Sequence, residues 1–282
     1  MKVVVTSPSF SKHPMLIKKM EDKFDNYILN KEGRRFNEDE LISYIGDAEA
    51  AIVGLDQVTA KVLDACPNLK IVSKYGVGLD NIKISACEER NIAIGWTGGV
   101  NKLSVAEMFL GNAISLLRNL TYTSNLLKCG KWNKNGGRQL SETTIGVIGV
   151  GHIGKEVIRL LKPFNCKILV NDVIQQDEYY NENDLTKASK DEIYKTADVI
   201  TLHTPLTDDT REMINSTSLS LMKDDAVIIN TARGPLVNLD DLESALKSKS
   251  IGGASLDVYD IEPPKRKGLL DIPTLINTPH IG

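Results

Sequence analysis

The order of apolar and polar positions predicts short buried strands that alternate with helices. In the first third of the chain, short apolar runs predict strands, and the stretches between them carry apolar residues at helical spacing. The predicted strands are residues 3–6, 51–53, 69–73 and 92–94, and the predicted helices are residues 14–23, 38–45, 59–65 and 84–89. Because strands alternate with helices, this part is expected to be a parallel α/β domain.

The same alternation resumes after residue 143 with six apolar runs. These predicted strands are residues 145–148, 167–170, 198–202, 226–230, 252–257 and 275–277. Six strands that alternate with helices match a complete doubly wound domain. The segment from Trp96 to Asn101 is the expected crossover between the two parts. The sequence therefore predicts an α/β protein with two Rossmann-like parallel-sheet domains: residues 1–98, which are flavodoxin-like, and residues 99–282, which are doubly wound.

One helix that follows the crossover is apolar on most of its faces. Ser104 has Glu107 three residues later, the pattern of a capping box, so the helix is expected to span residues 105–117. A helix that is apolar nearly all round is buried, here between domains or in a subunit interface. Residues 119–141 show little periodicity and form either a surface loop or, as Trp132 favours, a dimer arm.

The stretch after the first strand of the second domain carries a glycine motif. Residues 149–154 read Gly-Val-Gly-His-Ile-Gly between an apolar run and a helical pattern. In that order the first glycine permits a tight turn, the second lets the backbone approach a pyrophosphate, and the third lets helix and strand pack closely. Asp172 follows the next predicted strand, where a carboxylate can bind ribose hydroxyls and would repel a 2′-phosphate. The sequence therefore predicts NAD rather than NADP; the alternative is that Asp172 only caps a turn.

Three residues with complementary chemistry follow the last three predicted strands. In an open parallel sheet, ligands bind beyond the carboxyl ends of the strands. Arg233 can pair bidentately with a substrate carboxylate, and His280 can exchange a proton with a carbonyl oxygen near neutral pH. Glu262 can hold the other imidazole nitrogen and favour the charged ring. Each has a plain alternative, as a surface ion pair, a turn residue or a loop acid, but together they suit reduction of a 2-oxo acid by a nicotinamide.

Two loops of the first domain follow predicted strands. Residues 6–11 are expected to form a polar loop. Residues 74–81 contain two glycines that can bring backbone N–H groups to an anion. The alternative for this second loop is a plain turn that requires glycine torsions.

The composition of the chain argues against several kinds of partner and cellular location. Of 282 residues, 41% are hydrophobic and 25% are charged, as in an ordinary globular protein. A net charge of −3 argues against nucleic acid or an anionic membrane as a partner, and no apolar run reaches about 18 residues. The first residues pass directly into a strand pattern, without room for a signal peptide. Four separated cysteines form no metal-type cluster, so no metal is expected, and the protein is expected to be cytoplasmic.

Seven stretches together resemble the D-isomer-specific 2-hydroxyacid dehydrogenases, close to the phosphoglycerate dehydrogenase-like branch. They occur in that family's order and spacing over nearly the whole chain. The stretches are residues 74–82, 99–107, 149–154 with Asp172, 202–207, 230–234, 256–263 and 278–282. The resemblance implies an NAD-dependent enzyme that interconverts a 2-oxo acid and a D-2-hydroxy acid, with a substrate domain, an NAD-binding domain and a cleft that closes between them. It also implies a homodimer through the second domain.

The resemblance also implies roles for individual residues. Arg233, Glu262 and His280 would be the catalytic set, with His280 as the proton donor. Asp257 would bind the nicotinamide carboxamide. The expected substrate contacts are Lys74, Val77, Gly78 and Arg233. The expected cofactor contacts are Gly149, Gly151, His152, Ile153, Gly154, Asp172, His203, Thr204, Pro205, Thr231, Ala232, Arg233, Asp257 and His280.

Three departures from the family pattern qualify these expectations. His152 stands where relatives usually have Arg or Asn at a pyrophosphate contact, and Lys74 stands where many have Arg. The chain ends at Gly282, two residues past His280, where relatives continue into a helix that returns to the first domain, so this helix is expected to be missing. The substrate stays open: Lys12 and Lys74 favour a phosphorylated hydroxy acid such as 3-phosphoglycerate. A non-catalytic NAD sensor on the same fold is the second hypothesis.

Overall fold

Two parallel sheets organise the chain, one in each of two units. The computed structural model describes residues 1–282, and its internal contacts separate Met1–Asn101 from Lys102–Gly282. The sequence predicts a boundary after Gly98, which lies in the connection between the two sheets. The α/β fold class with two parallel-sheet domains is confirmed.

The first sheet contains five parallel strands in the order β2-β1-β3-β4-β5. Its strands are β1 (Lys2–Val5), β2 (Asn26–Leu29), β3 (Ala50–Val53), β4 (Ile71–Lys74) and β5 (Ala93–Gly95). Its helices are α1 (Pro8–Lys12), α2 (Pro14–Glu21), α3 (Glu38–Ile45), α4 (Ala60–Ala65) and α5 (Ile84–Glu89). Because side chains alternate along a strand, Val4 packs with Leu41 on one face, whereas Val3 packs with Phe10 on the other.

Two elements of this unit differ from the expectation. Strand β2 is not among the strands predicted from the sequence; it lies at the sheet edge, and its residues alternate between exposed and half-buried. The expected polar loop at residues 6–11 is wrong, because a short helix, α1, begins at Pro8. Ser7 caps this helix by accepting a hydrogen bond from the Phe10 N–H, and the Phe10 side chain is buried. Serine at the N-cap followed by proline is the signal that predicts such a helix.

The second sheet contains seven parallel strands in the order β12-β11-β10-β9-β6-β7-β8. Its strands are β6 (Thr144–Ile148), β7 (Lys167–Asn171), β8 (Thr186–Lys187), β9 (Val199–Leu202), β10 (Val227–Asn230), β11 (Gly253–Leu256) and β12 (Leu275–Asn277). Its helices are α6 (Lys102–Leu117), α7 (Leu120–Lys128), α8 (His152–Leu161), α9 (Asp177–Glu182), α10 (Lys190–Thr196), α11 (Ser216–Ser220), α12 (Leu239–Ser248) and α13 (Lys267–Leu270). The six expected strands are all present, and β8 is an additional short edge strand.

Both faces of this sheet are covered by buried side chains. Val147 packs with Phe109 of α6 on one face, whereas Ile148 packs with Ile193 of α10 on the other. Strands that are buried on both faces explain why the sequence shows continuous apolar runs here rather than alternation. None of the helices has both the length and the apolar character that a membrane span needs.

The register of the second sheet aligns the last residues of six strands in one row, which we call the terminal row. Each residue pairs with the next across the sheet, and neighbouring strands lie about 5 Å apart. The row consists of Asn277, Leu256, Asn230, Leu202, Ile148 and Asn171. Every candidate cofactor or catalytic residue of this unit therefore lies in a segment that follows the same edge of the sheet.

The connection into the second sheet also differs from the expectation. Because α6 begins at Lys102, Ser104 lies inside its first turn, and the predicted capping box is wrong. The predicted irregular segment contains α7, and only the part after this helix lacks regular structure. Trp132 in that part is 76% exposed. Arg138 ends it with an ion pair to Asp198, 2.8 Å away, at the start of β9.

Candidate active site

The three glycines after β6 differ in what an added side chain would contact. Gly149 has a φ of +98°, and a Cβ there would lie 2.6 Å from the carbonyl carbon of His203. A Cβ at Gly154 would lie 2.1 Å from the carbonyl oxygen of Gly149, because α8 packs closely against the turn. A Cβ at Gly151 would meet no atom within 4 Å. Packing therefore requires glycine at positions 149 and 154, whereas Gly151 faces open space that a ligand can approach.

The carboxylate of Asp172 connects the end of β7 to this turn. Its Oδ2 accepts a hydrogen bond from the Val150 N–H at 2.6 Å, and its Oδ1 accepts one from the Ile174 N–H at 2.8 Å. The second bond is the turn cap that the sequence leaves open as an alternative, and the first places the acid beside the glycines. Helix α8 begins directly after Gly151, so its free N–H groups lie at the same turn.

Several polar atoms after β9 and β10 are buried without a partner. They are the His203 Nδ1, the Thr204 Oγ1 and the Thr231 Oγ1. The His203 Nε2 contacts the Thr201 Oγ1 at 2.9 Å, and burial lowers the pKa of His203 to about 3, so its ring is neutral. Buried polar groups are nearly always satisfied, and a bound ligand with polar groups would satisfy these. Together with the open space at Gly151, they fit a dinucleotide.

The remaining expected cofactor residues occupy varied environments. His152 and Pro205 are exposed, and Ile153 is half-buried against the core that includes Phe109. Ala232 is buried. These four residues follow the terminal row at β6, β9 and β10.

The turn that carries Arg233 is held by Asn230, whose role the sequence does not predict. Asn230 is fully buried, and its side chain accepts a hydrogen bond from the Ala232 N–H at 3.1 Å and donates one to the Arg233 carbonyl at 2.8 Å. The Arg233 guanidinium donates to the Ala232 carbonyl at 2.6 Å. A Cβ at Gly234 would lie 2.0 Å from the Tyr259 carbonyl, so the turn after β10 touches the segment after β11.

That segment brings Glu262 to His280. The His280 Nδ1 lies 2.8 Å from the Glu262 Oε2, and the two side chains are 41% and 34% exposed. The other Glu262 oxygen accepts a hydrogen bond from the Tyr259 N–H at 3.2 Å. A carboxylate at Nδ1 fixes the tautomer with the proton on that nitrogen, and Nε2 becomes the nitrogen available for proton transfer.

Asp257, which follows β11, is 1% exposed. Its carboxylate accepts hydrogen bonds from the Thr278 hydroxyl at 2.7 Å, the Ile281 N–H at 3.0 Å and the Gly282 N–H at 2.9 Å. These three donors leave about one acceptor site of this carboxylate for the expected contact with a nicotinamide carboxamide.

In the first unit, side chains hold the loop after β4. The Lys74 Nζ donates to the Asn81 Oδ1 at 2.6 Å and to the Gly54 carbonyl, and the Asn81 Nδ2 donates to the Asp56 carbonyl at 2.6 Å. The Trp96 Nε1 donates to the Val77 carbonyl at 2.7 Å. The predicted substrate contacts Lys74, Val77 and Gly78 thus lie in one ordered loop of this unit.

Comparison with known proteins identifies a family for the whole arrangement. The profile of the D-isomer specific 2-hydroxyacid dehydrogenase NAD binding domain matches residues 110–282. Hydroxypyruvate reductase from Thermotoga maritima is 35% identical over 90% of this chain and 86% of its own length. D-3-phosphoglycerate dehydrogenase from Methanocaldococcus jannaschii is 35% identical over 100% of this chain, which spans 53% of that protein.

Solved structures lead to the same family. D-lactate dehydrogenase from Aquifex aeolicus, complexed with NAD and lactic acid, superposes with a TM-score of 0.84 at 29% identity, over 100% of this chain and 88% of its own. A glyoxylate reductase from Paecilomyes thermophila superposes with a TM-score of 0.86 at 26% identity, over 100% of this chain and 88% of its own. The glycine turn, the unsatisfied polar atoms beside it and these relatives agree on an NAD(H) cofactor. The chain belongs to the D-isomer specific 2-hydroxyacid dehydrogenase family and is an NAD-dependent oxidoreductase.

Proposed function

We propose that this protein interconverts a 2-oxo acid and a D-2-hydroxy acid, with Arg233, Glu262 and His280 as its catalytic residues. The observation that carries the proposal is the 2.8 Å contact between Glu262 and His280, because these residues follow different strands of the terminal row. An imidazole paired with a carboxylate at the carboxyl edge of a dinucleotide-binding sheet is suited to proton exchange with a substrate oxygen.

Each catalytic residue has one task in this mechanism. When bound, NAD(H) supplies or accepts the hydride. The Arg233 guanidinium pairs with the substrate carboxylate and orients the neighbouring carbonyl. The His280 Nε2 gives a proton to the carbonyl oxygen during reduction and removes it during oxidation. Glu262 accepts the Nδ1–H and fixes the tautomer and orientation of the ring.

The cofactor would be held by the turn and by the strand ends beside it. The free N–H groups at the start of α8 suit the pyrophosphate, and Asp172 suits the ribose hydroxyls. The unpartnered hydroxyls of Thr204 and Thr231 would form hydrogen bonds with the cofactor. Because a 2′-phosphate would meet the Asp172 carboxylate, we expect NADH to be preferred over NADPH.

For the substrate, we propose a small 2-oxo acid that carries a second anionic or polar group, with 3-phosphohydroxypyruvate and hydroxypyruvate as the first candidates. Relatives with about one third identity carry the names hydroxypyruvate reductase, glyoxylate reductase and D-3-phosphoglycerate dehydrogenase. Lys74 and the N–H groups of Val77 and Gly78 would bind an anionic part of the acid. The homodimer and the cytoplasmic location expected from the sequence stay predictions, the first of which sedimentation equilibrium tests against the chain mass of 31.0 kDa.

The test combines a substrate panel with two substitutions. NADH oxidation is followed with 3-phosphohydroxypyruvate, hydroxypyruvate, glyoxylate, pyruvate and 2-oxoglutarate, and NADPH is run in parallel. His280→Ala and Arg233→Ala are each expected to lower kcat/KM by about 10³-fold, because proton transfer or carboxylate recognition is lost. The dissociation constant of NADH, from fluorescence titration, is expected to stay near that of the parent.

A matched control separates these roles from general damage. Arg211 is an exposed arginine of the same unit, and Arg211→Ala is expected to keep full turnover. Residual turnover in His280→Ala close to that of the parent would contradict the proposed proton donor. Binding of NADH without turnover on any acid would instead favour the non-catalytic NAD sensor.

A further inference from the structure

We propose that Asp257 and Tyr259 are positioning residues, which hold the segment that carries His280 and thereby place its imidazole for proton transfer. We call residues 278–282 the His280 segment. The inference rests on the proposed function, because it assigns a purpose to two residues that act through His280 and its partner Glu262. Neither residue needs to touch the substrate for this role.

Asp257 contacts the His280 segment on both sides of the histidine. Its Oδ1 accepts from the Thr278 hydroxyl at 2.7 Å, before His280, and from the Ile281 N–H at 3.0 Å, after it. Its Oδ2 accepts from the Gly282 N–H at 2.9 Å. A carboxylate has about four acceptor sites; these donors use three of them, and the Ile281 N–H also lies 3.1 Å from Oδ2. A carboxylate that is 1% exposed and accepts hydrogen bonds from three donors of one segment has a structural task within its own chain.

Tyr259 contacts the same segment and also the partner of His280. Its hydroxyl lies 3.3 Å from the carbonyl oxygens of both Leu256 and Thr278 and can donate to one of them at a time. Its backbone N–H donates to the Glu262 Oε1 at 3.2 Å. The side chain is 6% exposed, and burial raises the pKa of Tyr259 to about 12, so the phenol remains a donor. One residue therefore holds both the start of the His280 segment and the carboxylate that orients the ring.

The conformation of His280 explains why such support is needed. Its φ is +55°, in the left-handed region, which is sterically unfavourable for a residue with a side chain. Conformations of this kind persist only where the surroundings hold them. Without the bonds from Asp257 and Tyr259, we expect the segment to relax and the distance from the ring to Glu262 to vary.

The role implied by the family resemblance, a contact of Asp257 with the nicotinamide carboxamide, makes a different prediction. A residue that binds the cofactor affects the dissociation constant of NADH, whereas a residue that positions His280 affects kcat and leaves NADH binding unchanged. The two roles are therefore distinguishable by measuring both quantities on the same variant.

Tyr259→Phe is the first test, because it removes one hydroxyl and keeps the packing. We expect kcat to fall about tenfold, since small displacements of a reacting group are costly, while KM and the NADH dissociation constant stay near those of the parent. Tyr194→Phe is the matched control: this phenol is equally buried and contacts the Met213 carbonyl at 3.2 Å in the same unit. Equal kcat values for the two variants would overturn the assignment of Tyr259.

Asp257→Asn is the second test, and its main readout needs neither cofactor nor substrate. Amide hydrogen exchange, measured by NMR on the free protein, is expected to become at least tenfold faster at Ile281 and Gly282. Asp241→Asn is the matched control, because the Asp241 carboxylate also accepts a backbone N–H, from Ser216 at 2.7 Å. Unchanged exchange at both amides, or weaker NADH binding with an unchanged kcat, would overturn the positioning role.

The two readouts also separate this inference from the proposed function. If the parent protein shows no turnover with any acid, the proposed reaction fails, but the exchange rates still decide whether Asp257 holds the His280 segment. If turnover is present and only the exchange rates stay unchanged, the reaction stands and the positioning role fails.

Discussion

Each unit has a loop with two glycines directly after a strand of its parallel sheet, and the two loops are held in different ways. In the second unit, Gly149 has a φ of +98° and its backbone lies against the backbone of His203. In the first unit, Gly76 has a φ of +134°, but the nearest atom to an added Cβ is the side-chain Cε of Lys74 at 3.2 Å. Backbone packing therefore fixes the turn at Gly149, whereas side chains such as Lys74 hold the loop at Gly76.

This difference shows what separates a dinucleotide turn from a glycine loop of similar sequence. The turn after β6 leads into α8, a helix of ten residues, whose approach to the strand also requires Gly154. The loop after β4 leads into no such helix, and α5 begins only at Ile84. The glycine spacing alone is therefore weak evidence, and the helix that follows it carries the information.

The largest expected effect on stability comes from replacing one glycine of each loop with alanine. Gly149→Ala forces a Cβ into the His203 backbone at a forbidden torsion, so we expect a loss of about 3–5 kcal/mol in the free energy of unfolding and no measurable NADH binding. Gly76→Ala meets only a flexible side chain, and we expect a loss of about 2 kcal/mol with NADH binding retained. Urea denaturation and fluorescence titration measure both. Equal losses in the two variants would remove the distinction between the turns.

The next effect tests whether side chains hold the loop of the first unit. Asn81→Ala removes the acceptor of Lys74 and the donor to the Asp56 carbonyl, so we expect a loss of about 2 kcal/mol in the free energy of unfolding. KM for the substrate should rise, and the NADH dissociation constant should not change. Asn183→Ala, which removes one hydrogen bond to the Tyr179 carbonyl, is the control with a smaller expected loss. A wild-type KM in Asn81→Ala would show that the loop is not held by this side chain.

The smallest effect concerns pH and the residue behind the glycine turn. Burial lowers the pKa of His203 from 6.5 to about 3, so below pH 6.5 the unfolded chain binds a proton that the folded chain does not. Stability must therefore fall as the pH decreases, by about 1.4 kcal/mol between pH 7.5 and pH 5.5 from this group. His203→Gln should lose this part of the pH dependence. Parallel curves of unfolding free energy against pH for parent and variant would contradict the buried, neutral state.

The fold was predictable because its main strands are apolar on both faces. Continuous runs such as residues 145–148 and 226–230 mark buried parallel strands, and the glycine motif identifies the strand that binds the cofactor. The edge strand β2 was not recognised in this way, because it is not buried on both faces and its residues alternate between exposed and half-buried. The capping box predicted at Ser104 was wrong because the same residue types at the same spacing also occur inside helices.

The candidate site was predictable as a set of residues but not as a set of contacts. Arg233, Glu262 and His280 are located by the strand ends that they follow. The bonds of Asp257 to residues 278–282 depend on how that segment turns back, which no local pattern encodes. Tyr259 has the sequence appearance of an ordinary core aromatic, and only the position of its hydroxyl distinguishes it.

The terminal row has a consequence for how such an enzyme can vary over evolutionary time. Because each reactive residue is located by counting from the end of a strand, its position depends on strand length and not on which apolar side chains fill the sheet. Exchanges inside β10 leave Arg233 where it is, whereas the deletion of a single residue there would reverse the face of every side chain that follows it. A lineage can therefore replace most of its interior and keep its chemistry, provided that insertions and deletions are confined to the loops.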